Sequence, residues 1–292
     1  MIHLNRRSFL TASAAAAGTI IFPSHSRAIQ DEKKIVKNGR LKQSVCRWCY
    51  GKIPDEQFFK AVIEMGLTAV DLLPPKQWES ARDMGLVCSM GSGFPAAKIP
   101  DGLNDKKNHD AILKGIEEHV EKAAKAGVPN MIAFFGNKRG RSDEEAIENC
   151  IEGLNRIKPL MEQHKVTLAV EILNSKVDHK DYQGDRSWFA FKIIKAVASP
   201  YVKVLFDIYH VQIMEGDVCA NIRKYFPLVA HFHAAGVPGR HELDETQELN
   251  WRFVAQTIAD LGFAGFVAHE YRPSPGRDPI ESLRRCLDVL DA

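Results

Sequence analysis

The sequence is short of net charge. Its 39 Lys and Arg face 37 Asp and Glu over 292 residues, a formal +2. A chain so balanced offers no electrostatic footprint for nucleic acid or for an anionic membrane surface. Cysteine is scarce too. Six of them, at 46, 49, 88, 150, 219 and 286, are too few to staple a chain of this length, which excludes a disulfide scaffold. No Gly-rich turn follows the first strand-like run, so the phosphate cradle of a dinucleotide-binding sheet is missing and no nucleotide or flavin is expected. No linker divides the chain, which argues for one folded domain. Cys46-Arg-Trp-Cys49 has redox-type spacing, but no thioredoxin pattern follows it, so packing or a local disulfide is the expectation.

What is present begins with an N-terminus unlike the rest. Asn5-Arg6-Arg7-Ser8-Phe9-Leu10 sets a twin-arginine pair before the uncharged stretch Phe9 to Phe22, and Ser26-Arg27-Ala28 supplies small residues at the −3 and −1 positions. A charged start, a short apolar middle and such a close make a signal for the export route that carries folded cargo. The apolar stretch is short for a transmembrane helix, so contact with a membrane would come only through an uncleaved signal. Residues 1–28 are thus expected to be a twin-arginine signal peptide on an exported, periplasmic protein. Cleavage would leave 36 basic against 37 acidic residues, a net of −1. Residues 29–41 read as an N-terminal arm and 42–292 as the folded domain.

Within 42–292, eight strand-like runs alternate with eight helix-like runs. The strand-like runs are Ser44–Trp48, Ala69–Leu73, Leu86–Met90, Asn130–Phe135, Thr167–Glu171, Val202–Asp207, Val229–His233 and Phe266–Glu270. The helical stretches carry a 3.6-residue apolar period; Phe58, Phe59, Val62 and Ile63 share one face between Asp55 and Met65. Ser142 with Glu145 makes a capping box for a helix reaching about His164. Such regular alternation requires parallel strands with right-handed crossovers, and eight units close into an α/β barrel of the (β/α)8 TIM type, a single domain. The long segment from Gly91 to Asn108 lies on one rim as a binding loop.

Four of the strand-like runs end on side chains that bind metals: Glu171, Asp207, His233 and Glu270, spaced 36, 26 and 37 residues apart. Each gap holds one helix and two loops, as a parallel unit requires. A carboxylate or imidazole at the end of a buried strand is costly unless paired or metal-bound. In such a barrel, functional groups sit at the C-terminal ends of the strands, so the four converge. Three carboxylates and one imidazole are mostly oxygen donors, suited to one divalent ion, Mg²⁺ or Mn²⁺ ahead of Co²⁺ or Zn²⁺. A DNA-repair nuclease would want more histidine ligands and a basic face. Of the other histidines, His210, three residues past Asp207 in what reads as a loop, can hydrogen-bond a substrate oxygen. His231 belongs to core hydrogen bonding and His269 points outward to the helices.

Over nearly all of 42–292 the chain resembles the hydroxypyruvate isomerase family of the xylose-isomerase-like barrels. The resemblance rests on Leu168-Ala-Val-Glu171-Ile-Leu, on Phe206-Asp207-Ile-Tyr-His210-Val-Gln212, on Ala230-His-Phe-His233-Ala-Ala-Gly236-Val-Pro-Gly-Arg240-His-Glu242 and on His269-Glu270-Tyr-Arg-Pro273. It implies a metal at Glu171, Asp207, His233 and Glu270, catalytic acid/base roles for Glu171 and Glu270, and substrate contact by His210 and Arg240. The expected chemistry is isomerisation of a small α-hydroxycarbonyl compound through an enediolate, with hydroxypyruvate to tartronate semialdehyde as the leading case. Arg240, with Lys138, Arg139 or Arg141, could hold a substrate carboxylate, a solvated loop being the favoured reading of the three loop cations. Histidine at 233 is also the pattern of the related ketose epimerases, so a ketose 3-epimerase or a periplasmic keto-sugar isomerase or lyase stays open. A sugar-binding barrel without turnover, using Trp48, Trp78, Trp188 and Trp251, is a third reading. The partner expected is a small hydroxycarbonyl or sugar; homo-oligomers are compatible with the sequence.

Overall fold

Parallel strands with both faces buried must close on themselves or be covered at their edges, because an open edge leaves a row of unpaired backbone groups. The computed structural model, which describes residues 34–93 and 98–292, shows closure. Strands β1 (Lys42–Val45), β8 (Phe266–His269), β7 (Val229–Ala234), β6 (Val202–Asp207), β5 (Thr167–Glu171) and β4 (Asn130–Phe134) form one parallel sheet in that spatial order, and β2 (Ala69–Val70) pairs with β3 (Val87–Cys88). Single parallel bridges complete the ring, Cys46 with Asp71 joining β1 to β2 and Gly91 with Met131 joining β3 to β4. The result is an eight-stranded (β/α)8 barrel. The expected signal peptide, residues 1–28, lies outside the described residues.

Helices α1 (Asp55–Glu64), α2 (Trp78–Asp83), α3 (His109–Ala126), α4 (Asp143–His164), α5 (Ser187–Val197), α6 (Ile208–Met214), α7 (Val218–Tyr225), α8 (Trp251–Asp260) and α9 (Pro279–Leu290) surround it. Several bounds coincide with the sequence expectation, including β5, β6 and the two ends of α4. Local chemistry explains the match. Gly127 at φ +74° closes α3, and the Ser142 hydroxyl accepts from the Glu145 amide at the start of α4.

Three differences bear on the site. The first strand starts and stops earlier than expected, and Arg47–Tyr50 winds into a 3-10 turn that carries Trp48 over the barrel mouth. The second strand ends after two residues because Leu72 adopts φ +53°, which breaks the ladder while bridging continues at Asp71 and Leu73. The expected loop after Asp207 is a helix, α6, capped by Asp207 itself: its Oδ1 accepts from the amides of Tyr209 at 2.8 Å and His210 at 3.3 Å. A ninth helix thus joins the eight expected among the described residues.

Candidate metal centre and active site

The four side chains singled out from the sequence meet. Glu171 ends β5, Asp207 ends β6, His233 lies one residue before the end of β7 and Glu270 follows β8. One ligand atom from each falls within 4.8 Å of the others, and all four residues are buried. His233 Nδ1 is at the centre, 2.7 Å from Glu270 Oε2, 3.2 Å from Glu171 Oε1 and 4.0 Å from Asp207 Oδ2.

The other nitrogen of His233 is held by a residue that the sequence pattern did not single out. His233 Nε2 lies 3.0 Å from Asp71 Oδ2. Asp71 is fully buried just past β2 and also meets His231 Nε2 at 3.2 Å, Cys46 Sγ at 3.5 Å and the Ser89 hydroxyl, which in turn reaches Ser44 at 3.0 Å. Burial pushes the Asp71 carboxyl up, but the pull of His231 and His233 outweighs it and holds the group well below the usual carboxylate range. Asp71 therefore stays charged and accepts a hydrogen bond from the Nε2–H of His233, which leaves Nδ1 to face the three carboxylates. This is the second partner that metal-bound histidines commonly have. A carboxylate in the middle of the short apolar run Ala69-Val-Asp71-Leu-Leu73, where a buried strand should stay apolar, was the available signal.

So many acids cannot all ionise away from water at little cost. Burial pushes Asp207 up to about 8 against the pull of Arg240, and burial with the charge of Glu270 raises Glu171. Glu270 goes the other way: burial opposes its charge, but Arg240 and His233 hold its carboxyl well below normal. The His233 imidazole is raised well above its ordinary value because Glu270, Cys46 and Asp71 overcome its burial. The donor set thus fits a divalent cation: mostly hard oxygens, excess negative charge in a dry place, and an imidazole oriented from behind.

Arg240 enters from a strained turn. The Gly236 amide donates to His241 O at 2.8 Å, and the Arg240 amide donates to Gly236 O at 3.0 Å. Arg240 has φ +57°, a left-handed conformation costly for a side chain of this kind, and such strain concentrates at functional sites. Any Cβ at Gly236 would collide with the backbone oxygen of Glu242, so glycine is required there. The turn aims the guanidinium inward, where Nη2 sits 2.6 Å from Glu270 Oε2 and 3.4 Å from Asp207 Oδ2, and Nε donates to Glu270 O. Trp48 adds an indole N–H to Glu270 Oε1 at 2.9 Å.

His210 is fully buried beside Asp207. Its Nδ1 accepts from the Asn174 amide at 3.1 Å, and burial drives the imidazole well below its usual pKa. A neutral ring that accepts at Nδ1 carries its proton on Nε2. That atom has no hydrogen-bond partner among the described residues and lies 3.5 Å from Asp207 Oδ2.

Beside the cluster opens a cavity of about 290 Å³, lined by Glu171, Glu270, Arg240, His179, Arg272 and Trp48 with an apolar wall that includes Ile132, Phe134 and Leu173. Ser92, Gly93 and Ile99 place the rim loop here, as expected. Lys138, Arg139 and Arg141 do not line it. They pair with Asp143, Asp101 and Asp105, which agrees with the favoured reading of a surface loop over a part in holding a substrate carboxylate. Trp78 and Trp251 are buried in the core. Cys46 and Cys49 are free thiols, raised by burial, and form no local disulfide. His269 is buried against Gln43 at 2.8 Å, in the structural role expected.

Comparison with known proteins agrees with this geometry. Residues 59–291 match a family described as the xylose isomerase-like TIM barrel. A Xenopus laevis protein provisionally named hydroxypyruvate isomerase is 30% identical over 233 residues, covering 77% of this chain and 78% of its own. A 2-oxo-tetronate isomerase of Pectobacterium atrosepticum is 24% identical over 237 residues, 76% of this chain and 87% of its own. Among solved structures, a Brucella melitensis protein titled AP endonuclease, family 2 superposes with a TM-score of 0.73 at 22% identity, over 83% of this chain and 97% of that one. At that identity the likeness speaks for the fold alone.

Proposed function

The chain belongs to the xylose isomerase-like TIM barrel family and is an enzyme of the isomerase class; from that premise we propose that it isomerises small α-hydroxycarbonyl acids by proton transfer between adjacent carbons, with hydroxypyruvate to tartronate semialdehyde as the leading reaction. The observation that carries the proposal is the convergence of Glu171, Asp207, His233 and Glu270 beside a small cavity. These four residues would hold one divalent ion, Mg²⁺ or Mn²⁺. When bound, it supplies Lewis-acid charge to the carbonyl and hydroxyl oxygens of the substrate.

The protein's own groups do the rest. One of Glu171 and Glu270 removes a proton from the hydroxyl-bearing carbon, the electron pair moves toward the carbonyl oxygen to give an enediolate, the hydroxyl proton passes to the former carbonyl oxygen so that the new carbonyl forms at the neighbouring carbon, and the other glutamate returns a proton to the former carbonyl carbon. No redox cofactor is consumed. Without metal the two carboxyls stand in different surroundings, Glu171 raised by burial and Glu270 lowered by Arg240 and His233. Asp71 keeps His233 in one tautomer, and His210 offers its Nε2–H to a substrate oxygen. Arg240 holds Glu270 and Asp207 in place and lies within reach of the substrate. A ketose 3-epimerase would use the same four ligands; the arginines at the cavity support an acid over a neutral sugar. The twin-arginine start supports action outside the cytoplasm, which sequencing the N-terminus of the exported protein checks.

The test is exchange of carbon-bound hydrogen with D₂O, followed by NMR, on hydroxypyruvate, ketopentoses and ketohexoses with Mn²⁺ or Mg²⁺. Metal-dependent exchange is expected with hydroxypyruvate foremost. Exchange with ketoses alone would move the enzyme to the epimerases, and no exchange on any of these would overturn the proposal.

A further inference from the structure

Two arginines line the cavity, and they are in different electrostatic situations. Arg240 is committed: Glu270, Asp207 and the Glu270 backbone oxygen already take its donors. Arg272 has no carboxylate within ion-pairing distance among the described residues. Its guanidinium lies 5.2 Å from the centroid of the Trp48 ring, and its backbone is fixed on both sides, the amide donating to Arg240 O and the carbonyl oxygen meeting His241 Nδ1, both at 2.8 Å. The Trp48 indole is itself fixed by its bond to Glu270 Oε1. One indole therefore separates a catalytic carboxylate from an exposed guanidinium whose fork of donors is directed at no acid among the described residues. Arg272 also borders an outer groove of about 510 Å³ with Lys52, so it stands at the neck between the reacting groups and solvent.

We propose that Arg272, braced on Trp48, is the residue that selects acids, taking the substrate carboxylate while the hydroxycarbonyl end lies against Glu171 and Glu270. The proposal rests on the isomerase reading of the site and names its substrate class. A planar fork of N–H donors suits a carboxylate bidentately, and stacking on an aromatic face orders the guanidinium before the ligand arrives. A neutral hydroxyketone gains nothing from it.

The experiment compares wild type, Arg272→Gln and Arg272→Lys, each loaded with Mn²⁺, in two assays. In the first, D₂O exchange is measured on hydroxypyruvate and on dihydroxyacetone, its neutral counterpart. Arg272→Gln is expected to raise KM for hydroxypyruvate at least tenfold with kcat within threefold, to change dihydroxyacetone little, and Arg272→Lys is expected to recover part of the loss. In the second, tartronate binding is measured by calorimetry, and Arg272→Gln is expected to weaken it at least tenfold at unaltered Mn²⁺ content. Equal effects on acid and neutral ligands, or none on either, would overturn the assignment. Tartronate binding that depends on Arg272 in a wild type that exchanges neither substrate would overturn the isomerase reading and leave the acid anchor standing.

Discussion

Asp71 Oδ2 lies 3.0 Å from His233 Nε2, while His233 Nδ1 lies 2.7 Å from Glu270 Oε2. One imidazole is thus gripped by a strand-two carboxylate on one side and presented to three carboxylates on the other. The tautomer is set from behind the imidazole, by a carboxylate that is not one of the four convergent side chains. Removing that charge should act through His233. Asp71→Asn is expected to weaken Mn²⁺ binding about 10- to 100-fold while the far-ultraviolet circular dichroism stays native. Unchanged affinity in a calorimetric titration would refute the role.

Metal binding should depend steeply on pH. Asp207, pushed up to about 8, and His233, raised well above its usual value, both hold protons in the metal-free protein at pH 7. A ligand must be deprotonated to bind, so protons are released and affinity rises with pH until the raised pKa values are passed. Titrations in buffers of different ionisation enthalpy should show at least one proton released per Mn²⁺ at pH 7, and affinity should fall as pH drops from 8 to 6. A pH-independent affinity over that range would count against the site.

Glu171→Gln and Glu270→Gln should each abolish most carbon-bound hydrogen exchange, by about 10²- to 10⁴-fold for loss of a general acid or base. Their effects on the metal-free fold should be opposite. Glu171 is an acid held partly against its will by burial, whereas Glu270 anchors Arg240, His233 and Trp48. With chelator present, Glu171→Gln should keep or raise the melting temperature and Glu270→Gln should lower it, because it strands the Arg240 guanidinium. Scanning calorimetry of both variants decides this.

Gly236→Ala should damage the turn that carries Arg240, since a methyl there meets the Glu242 oxygen. A loss of about 1–3 kcal/mol in stability is expected, together with a larger loss of activity than the melting point alone explains. Full activity in this variant would mean that the position of Arg240 matters little.

The sequence by itself settled the architecture and the four convergent side chains. Parallel strands buried on both faces must be apolar runs, so a charged residue ending such a run stands out at positions 171, 207 and 270, and the spacing between runs leaves room for a helical crossover each, although the gap between β6 and β7 holds two helices, α6 and α7. Arg240 and His210 were legible from the motifs around them. Strand bounds were least legible where the ladder is short: the left-handed turn at Leu72 and the early end of β1 depend on how neighbouring strands meet, which no local pattern records. What only tertiary structure decided is the partnership of residues far apart in the chain. Asp71 and His233 are 162 residues apart, and Trp48 and Glu270 are 222 apart. Ring closure brings β2 into the floor beneath β7 and the turn after β1 beside β8. The same closure showed that the three loop cations spend their charge on nearby acids, and that Arg272 meets no acid within ion-pairing distance among the described residues. Charge pairing is decided by distance in space; the sequence gives only distance along the chain.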